Sequence, residues 1–150
     1  MRRINALLVL AIAAMMMTGC TCNQQAPVQE EPAKDGIFIH ITAGPEDPHR
    51  LLMPLRMAVM MGDTHDVAVY LDIKGVLAVV KDAPDVTLET FPTSYELIGQ
   101  LVEMGIPVMA CPGCLKAAGK TPEDLMDGVK VADKNTFFNF TKGRILTIDY

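Results

Sequence analysis

Apolar segments alternate with segments of helical pattern along this chain, and this alternation most constrains its fold. Residues 36–42 (GIFIHIT) and 106–110 (IPVMA) have almost no polar interruption, which is typical of parallel strands covered on both faces. Val67, Val69 and Leu71 alternate along the chain and predict a further strand. Because parallel strands require long crossover connections, we expect helices between these segments.

Capping signals place the helices. Thr93 and Glu96 form a capping box that starts a helix through Met104, and Gly105 is its C-terminal glycine. Further helices are expected over residues 49–61, 76–81, 121–128 and 133–142 and directly after Cys111, and the strands over 36–42, 65–73, 106–110, 129–132 and 144–149, with an additional edge strand over 86–91. This order predicts an α/β fold, a flavodoxin-like three-layer sandwich with a mostly parallel five-stranded sheet.

The N-terminal segment is typical of a secretory signal. Arg2 and Arg3 precede an apolar run over residues 6–17, which is too short to span a bilayer. The run ends in MTGC, which resembles the lipobox of bacterial lipoproteins and implies cleavage before Cys20 with lipid on its thiol. An ordinary signal peptide with an incidental cysteine is the alternative.

This interpretation divides the chain into three parts. We expect a lipoprotein signal peptide over 1–19, a lipidated N-terminus and disordered tether over 20–35, and a single domain over 36–150. Thr21, rather than Asp, follows the lipidated cysteine and resembles outer-membrane sorting. The expected location is therefore exported and anchored to membrane lipid, on the periplasmic face of the outer membrane.

Charge and cysteine number exclude several functions. The chain has 13 Lys and Arg against 18 Asp and Glu, and it has no basic cluster, so we expect no nucleic-acid partner. Of its 4 cysteines, Cys20 is assigned to lipid and Cys22 to the tether, which leaves Cys111 and Cys114 in the domain. Two cysteines are too few for a structural zinc site. No glycine-rich phosphate loop occurs, and we expect no cofactor.

The pair Cys111 and Cys114 lies where the strand over 106–110 ends and a helix begins. Open α/β folds usually place their chemistry at this junction. A helix N-terminus favours the nucleophilic thiolate. We therefore predict reactive thiols at both positions. A pair of buried structural thiols or an inert disulfide is the alternative.

Lys74 and His40 are candidates to support the thiols. Lys74 follows the second strand, so it lies at the same edge of the sheet and its charge would stabilise a thiolate; a lysine facing solvent is the alternative. His40 or His49 would complete a metal site with Cys111 only if the first and third strands are neighbours; core or solvated histidines are the alternative. Three carboxylates at this edge would raise the thiol pKa if they lie close: Glu46, Asp47 and Asp72.

The first predicted helix carries methionines that suit either of two roles. Thioethers bind Cu(I), and methionines at helical spacing also fill apolar cores. The residues concerned are Met53, Met57, Met60 and Met61.

Four segments together resemble the DsrE/DsrF-like family of sulfur-relay proteins. They are 38–48 (FIHITAGPEDP), 66–76 (DVAVYLDIKGV), 111–119 (CPGCLKAAG) and 125–132 (LMDGVKVA). The resemblance implies a cysteine after the third strand that accepts a persulfide, and Cys111 matches it by position. Cys114 corresponds to an addition found in part of the family. The resemblance also implies a homo-oligomer and a sulfur donor or acceptor protein as partner.

The sequence thus predicts a membrane-anchored, exported protein that handles sulfane sulfur or thiols through Cys111, with Cys114 as partner or resolving thiol. The alternative is a non-catalytic module on the same fold that binds a metal or another protein.

Overall fold

Strands and helices follow one another in the computed structural model, which describes residues 32–150. The strands are β1 Gly36–Ile41, β2 Asp66–Leu71, β3 Val108–Ala110, β4 Lys130–Val131 and β5 Ile145–Asp149. The α-helices are α1 Pro48–Met61, α2 Ser94–Glu103, α3 Pro112–Ala117 and α4 Lys134–Asn139, and two short 3₁₀ turns lie at Gly75–Ala78 and Pro122–Asp124.

The five strands of this part of the chain form one sheet in the order β4-β3-β2-β1-β5, and every pair is parallel. The predicted α/β class and five-stranded flavodoxin-like arrangement are confirmed. Strands β1 to β4 are added one after another in one direction across the sheet, and β5 is then added on the other side of β1. Since parallel crossovers are right-handed, this reversal puts the last connection on the opposite face of the sheet from the earlier ones.

The two faces are covered differently. On the first face, alternate strand residues such as Ile39, Val69 and Val108 belong to the main core with Leu51 and Leu101 of α1 and α2. The second face carries a smaller core that is closed by α4 and the residue after it: Phe38, Ala68 and Met109 with Tyr70, Ala132, Phe137 and Phe140.

Local signals explain the helix starts. Thr93 Oγ1 accepts a hydrogen bond from the Glu96 N–H at 3.2 Å, and the Glu96 carboxylate accepts from the Thr93 N–H at 2.9 Å. The predicted capping box is therefore present. Gly105 has a φ of 72°, a left-handed conformation that glycine adopts without steric cost.

The edge strand predicted over residues 86–91 is wrong. The backbone of Val86 is bonded to the start of α2 instead, because its N–H donates to Ser94 Oγ at 2.9 Å and its carbonyl accepts from the Ser94 N–H at 3.0 Å. These bonds remove the groups that a strand would use for pairing, while the Val86 side chain is still buried. The helices predicted over 76–81 and 121–128 are short 3₁₀ turns.

Lys34 and Asp35, the last residues of the predicted tether, contact the domain. Arg144 Nη2 lies 2.6 Å from Asp35 Oδ2, and Thr141 Oγ1 donates to the Lys34 carbonyl at 2.9 Å. The predicted signal peptide, Cys20, Cys22 and the first part of the tether lie outside the described residues. Within residues 32–150, no helix has both the length and the apolar character needed to cross a membrane.

Candidate functional site

The carboxyl ends of β2 and β3 bring the candidate site together. Leu71 is paired with Ala110, and the next residue, Cys111, donates its N–H to the Leu71 carbonyl at 2.8 Å. Cys111 then has extended backbone angles and is the N-cap of α3, with Pro112 at the first helical position. Cys114 lies in the first turn of the same helix. Both cysteines are free thiols of intermediate exposure, at the strand–helix junction that the sequence predicts.

Neutral groups near Cys111 determine the direction in which the pKa of its thiol is shifted. Partial burial raises the pKa of this thiol, but interactions with the Tyr70 hydroxyl, with Cys114 and with the N–H groups of Cys114 and Gly113 outweigh burial and lower the pKa overall. The sulfur makes no regular capping hydrogen bond, so the amides act on it at longer range. Cys111 therefore has the environment of a nucleophilic thiol.

Cys114 has the opposite character. The N–H of Ile73 lowers the pKa of this thiol, but burial, the neighbouring Cys111 and the charge of Asp72 together raise it overall. The pair thus favours a thiolate at Cys111 over one at Cys114. The two cysteines are chemically distinct although they lie three positions apart.

Tyr70 and His40 lie next to each other on the second face of the sheet. The register pairs His40 with Tyr70 on β2 and with Asp149 on β5. The ring centroids of His40 and Tyr70 are 5.6 Å apart. Burial and the interaction with Cys111 raise the pKa of the Tyr70 hydroxyl, so this group remains protonated and can donate to the sulfur.

His40 also contacts two carboxylates. Its Nδ1 lies 2.9 Å from Asp149 Oδ1, and its Nε2 lies 3.0 Å from Asp72 Oδ1. Partial burial lowers the pKa of His40, but the interactions with the Asp149 and Asp72 carboxylates outweigh burial and raise it overall. His40 therefore borders the thiol site through Tyr70 and Asp72.

The other predicted candidates are placed differently. Lys74 Nζ lies 3.4 Å from Glu46 Oε1, so its charge is directed at that carboxylate, and the main groups that lower the Cys111 pKa are neutral. Because β2 separates β1 from β3, the strand neighbourhood that a site of His40 or His49 with Cys111 would need is not present. Within the described part of the chain, no three His, Cys, Asp or Glu side chains are grouped so as to hold a metal ion.

The methionines of α1 are divided between core and surface. Met57 and Met61 are packed against the main core, whereas Met60 is 69% exposed. Met57 Sδ also accepts a hydrogen bond from the Tyr150 hydroxyl at 3.1 Å.

Sequence reasoning missed Tyr70, Asp149 and Ile73. Tyr70 and Asp149 are paired with His40 in the register of the neighbouring parallel strands. This pairing could have been predicted only if β1 had been placed between β2 and β5. Ile73 has a φ of 47°, and no sequence signal marks a β-branched residue for this conformation.

Fold and site together define an α/β protein with a paired-cysteine site at the carboxyl edge of a parallel sheet. The sequence model of the DsrE/DsrF-like family matches residues 35–144. The chain belongs to this family, which suggests a function of the sulfur-relay type.

Similar proteins agree with this assignment. An uncharacterised protein of Methanopyrus kandleri is 32% identical over 110 residues, which cover 72% of this chain and 88% of the relative. One from Methanocaldococcus jannaschii is 30% identical over 103 residues, covering 68% of this chain and 88% of the relative.

Among solved structures, the YchN protein from E. coli has a TM-score of 0.61 at 20% identity, covering 76% of this chain and 99% of that protein. A protein of unknown function from Methanobacterium thermoautotrophicum has a TM-score of 0.52 at 18% identity, covering 77% and 99% respectively. These two structural likenesses support the fold.

Proposed function

We propose that this protein accepts sulfane sulfur on Cys111 and passes it on, with Cys114 as the resolving thiol. The observation that carries the proposal is the placement of two free thiols at the strand–helix junction, Cys111 as the N-cap of α3 and Cys114 in its first turn. Neutral groups lower the pKa of Cys111, while that of Cys114 is raised. Family membership supports sulfur as the cargo.

The accepting step is an attack of the Cys111 thiolate on the outer sulfur of a donor persulfide. A bond forms between the Cys111 sulfur and that outer sulfur, and the bond to the donor's inner sulfur breaks. The electron pair leaves with the donor as a thiolate, which takes up a proton from water. Cys111 then holds a persulfide, and the step requires no external oxidant.

The bound sulfur has two routes onward. A thiolate of an acceptor protein can take the outer sulfur, which returns Cys111 to its thiolate. Alternatively, Cys114 loses its proton and attacks the Cys111 sulfur, so that an intramolecular disulfide forms and hydrosulfide leaves. In that second route the two thiols are oxidised and the sulfane sulfur is reduced, and a thiol reductant must then reopen the disulfide.

The N-terminal sequence supports an anchored, exported location for this chemistry. The apolar run and the MTGC segment are the basis for lipidation at Cys20, and the polar segment after it would act as the tether. The donor or acceptor would accordingly be another exported protein.

Exposed apolar side chains support self-association. Phe138 on α4 is 61% exposed, and Leu146 on the edge strand β5 is 62% exposed. Edge strands with exposed apolar side chains are usually paired or covered, so we propose that a second copy of this chain covers β5 and α4. Sedimentation of the wild-type chain and of L146K tests this point, since the variant should shift toward the monomer.

Sulfur loading can be tested on the reduced full chain. The chain is mixed with a small persulfide, freed of excess donor, and its sulfane sulfur is measured as thiocyanate after treatment with cyanide. We expect wild-type protein and the matched control C22S to retain sulfane sulfur and C111S to retain none. Equal loading of C111S and wild type would contradict the proposal.

A further inference from the structure

Residues at one register position of adjacent strands form a row of side chains across the second face, next to the thiol site. Asp149, His40 and Tyr70 lie side by side on β5, β1 and β2, because the parallel register pairs His40 with both neighbours. On the far side of Tyr70, β3 contributes Met109, two positions before Cys111. Cys111 itself donates its N–H at 2.8 Å to the carbonyl of Leu71, the residue next to Tyr70, so this row of residues extends from the edge strand to the nucleophile.

His40 is held from two directions. The Asp149 carboxylate binds its Nδ1 at 2.9 Å, and the Asp72 carboxylate lies 3.0 Å from its Nε2. Nε2 and Asp72 Oδ1 are both hidden from solvent, and neither has a regular hydrogen bond within the described residues. The 3.0 Å contact between Nε2 and Oδ1 does not have the geometry of a hydrogen bond, but it is the polar interaction that compensates the burial of these two atoms.

The held imidazole ring in turn limits the motion of Tyr70. The centroid of the Tyr70 ring lies 5.6 Å from that of His40 and 5.2 Å from that of Phe137 on α4, and the Phe137 contact is edge-to-face. Phe38 is stacked at 5.9 Å. Contacts with three other rings restrict the rotamers of the half-buried Tyr70 side chain, which limits where its hydroxyl oxygen lies.

We propose that His40, held by Asp149 and Asp72, is a positioning residue that fixes the Tyr70 hydroxyl against the Cys111 sulfur. The inference rests on the proposed role of Cys111 as the nucleophile. The groups that face His40 are Asp149 from β5, Asp72 from the turn after β2 and Tyr70 from β2. Asp72 has a second effect, because its charge helps to keep Tyr70 and Cys114 protonated.

The test is the pH profile of alkylation at Cys111, measured on the full chain with iodoacetamide by mass spectrometry in which fragment ions separate Cys111 from Cys114. Removing the hydroxyl in Y70F should move the midpoint of the profile upward by about one pH unit, since a hydrogen bond to a charged group is lost. H40Q should move it in the same direction by a smaller amount, on the order of half a unit.

The double variant Y70F/H40Q separates positioning from a general structural role. If His40 acts through Tyr70, its substitution adds no further shift in the Y70F background. The matched control is H65Q, because His65 contacts Thr64 at 2.8 Å at the amino end of β2, away from the thiols. H65Q should leave the profile unchanged.

D149N provides an independent variant should H40Q fail to fold. Asp149 is 69% exposed, so its substitution should be tolerated, and the loss of its contact with Nδ1 should also move the Cys111 midpoint upward. A Cys111 profile that is the same in wild type, folded H40Q and D149N would overturn the inference, as would full additivity of Y70F and H40Q. Alkylation needs no sulfane sulfur. Failure of persulfide loading alone would therefore count against the proposed function and leave this inference standing.

Discussion

The main-chain N–H of Ile73 acts on the Cys114 sulfur from a left-handed backbone conformation, with a φ of 47° at Ile73. A β-branched residue in this conformation is strained, and the Ile73 side chain is 61% exposed, so packing compensates little of the cost. The strained turn is held by the Thr42 carbonyl, which accepts from the N–H groups of Lys74 and Gly75 at 3.2 and 3.1 Å. The turn after β2 thus holds the Ile73 amide where it lowers the pKa of the second thiol.

Substituting Ile73 with glycine should raise stability. Glycine adopts a positive φ without steric cost, and we expect I73G to increase the free energy of unfolding by about 0.5 to 1 kcal/mol. I73A is the matched control, because it removes the same exposed side chain but keeps the Cβ that causes the strain. Urea unfolding measures both, and I73A equal to or more stable than I73G would contradict the strain argument.

The contribution of His40 to stability should depend on pH. The pKa of His40 is raised in the folded protein, so its stabilising charge is fully present below the unfolded pKa of about 6.5 and is lost as pH rises through the folded value. H40Q should therefore be less stable than wild type at pH 5.5 to 6, by about 1 to 2 kcal/mol, and the difference should narrow toward pH 8.5. Urea unfolding across this range checks the sign, and a difference that grows with pH would refute it.

Cys114→Ser should change the fate of bound sulfur. A serine hydroxyl cannot open the Cys111 persulfide, so loaded C114S should release sulfide on the order of tenfold more slowly than wild type. Its initial loading should persist, because the Tyr70 hydroxyl and the backbone amides still act on Cys111. Sulfide release from the loaded, donor-free protein is the measurement. Equal release rates would exclude Cys114 as the resolving thiol.

The capping box of α2 should contribute measurably to stability. Removal of the Thr93 hydroxyl in T93A leaves the Glu96 N–H without its partner and should cost about 1 kcal/mol. T93S keeps the hydroxyl and should lose far less. Chemical denaturation of both variants decides the point, and equal losses would show that the hydroxyl is not the stabilising group.

Lipidation should depend on Cys20 alone among the cysteines. Full-length chain expressed in a bacterium with two membranes should take up labelled palmitate and sediment with membranes, whereas C20A should do neither. C22A is the control and should behave like wild type. Labelled C20A would contradict the assignment of Cys20 as the lipid site.

The local part of this fold and site could be predicted from sequence. The capping box at Thr93 and the strand–helix junction at Cys111 depend on adjacent residues, and both occur where the pattern places them. The strand predicted over 86–91 fails because Ser94 takes the backbone bonds of Val86, a competition that an apolar pattern does not reveal.

The non-local part could not be predicted in this way. Tyr70 and Asp149 become neighbours of His40 only through the position of β1 between β2 and β5, which no short segment encodes. The conformation of Ile73 likewise depends on the carbonyl of Thr42, far from it in the chain.

The most direct test is mass spectrometry of the reduced full chain after reaction with a small persulfide at neutral pH, with free thiols blocked afterwards and with fragment ions that separate Cys111 from Cys114. We expect Cys111 to gain the mass of one sulfur atom before any other cysteine, and Y70F to slow this gain. Sulfur on Cys20, Cys22 or Cys114 while Cys111 stays unmodified would contradict this expectation.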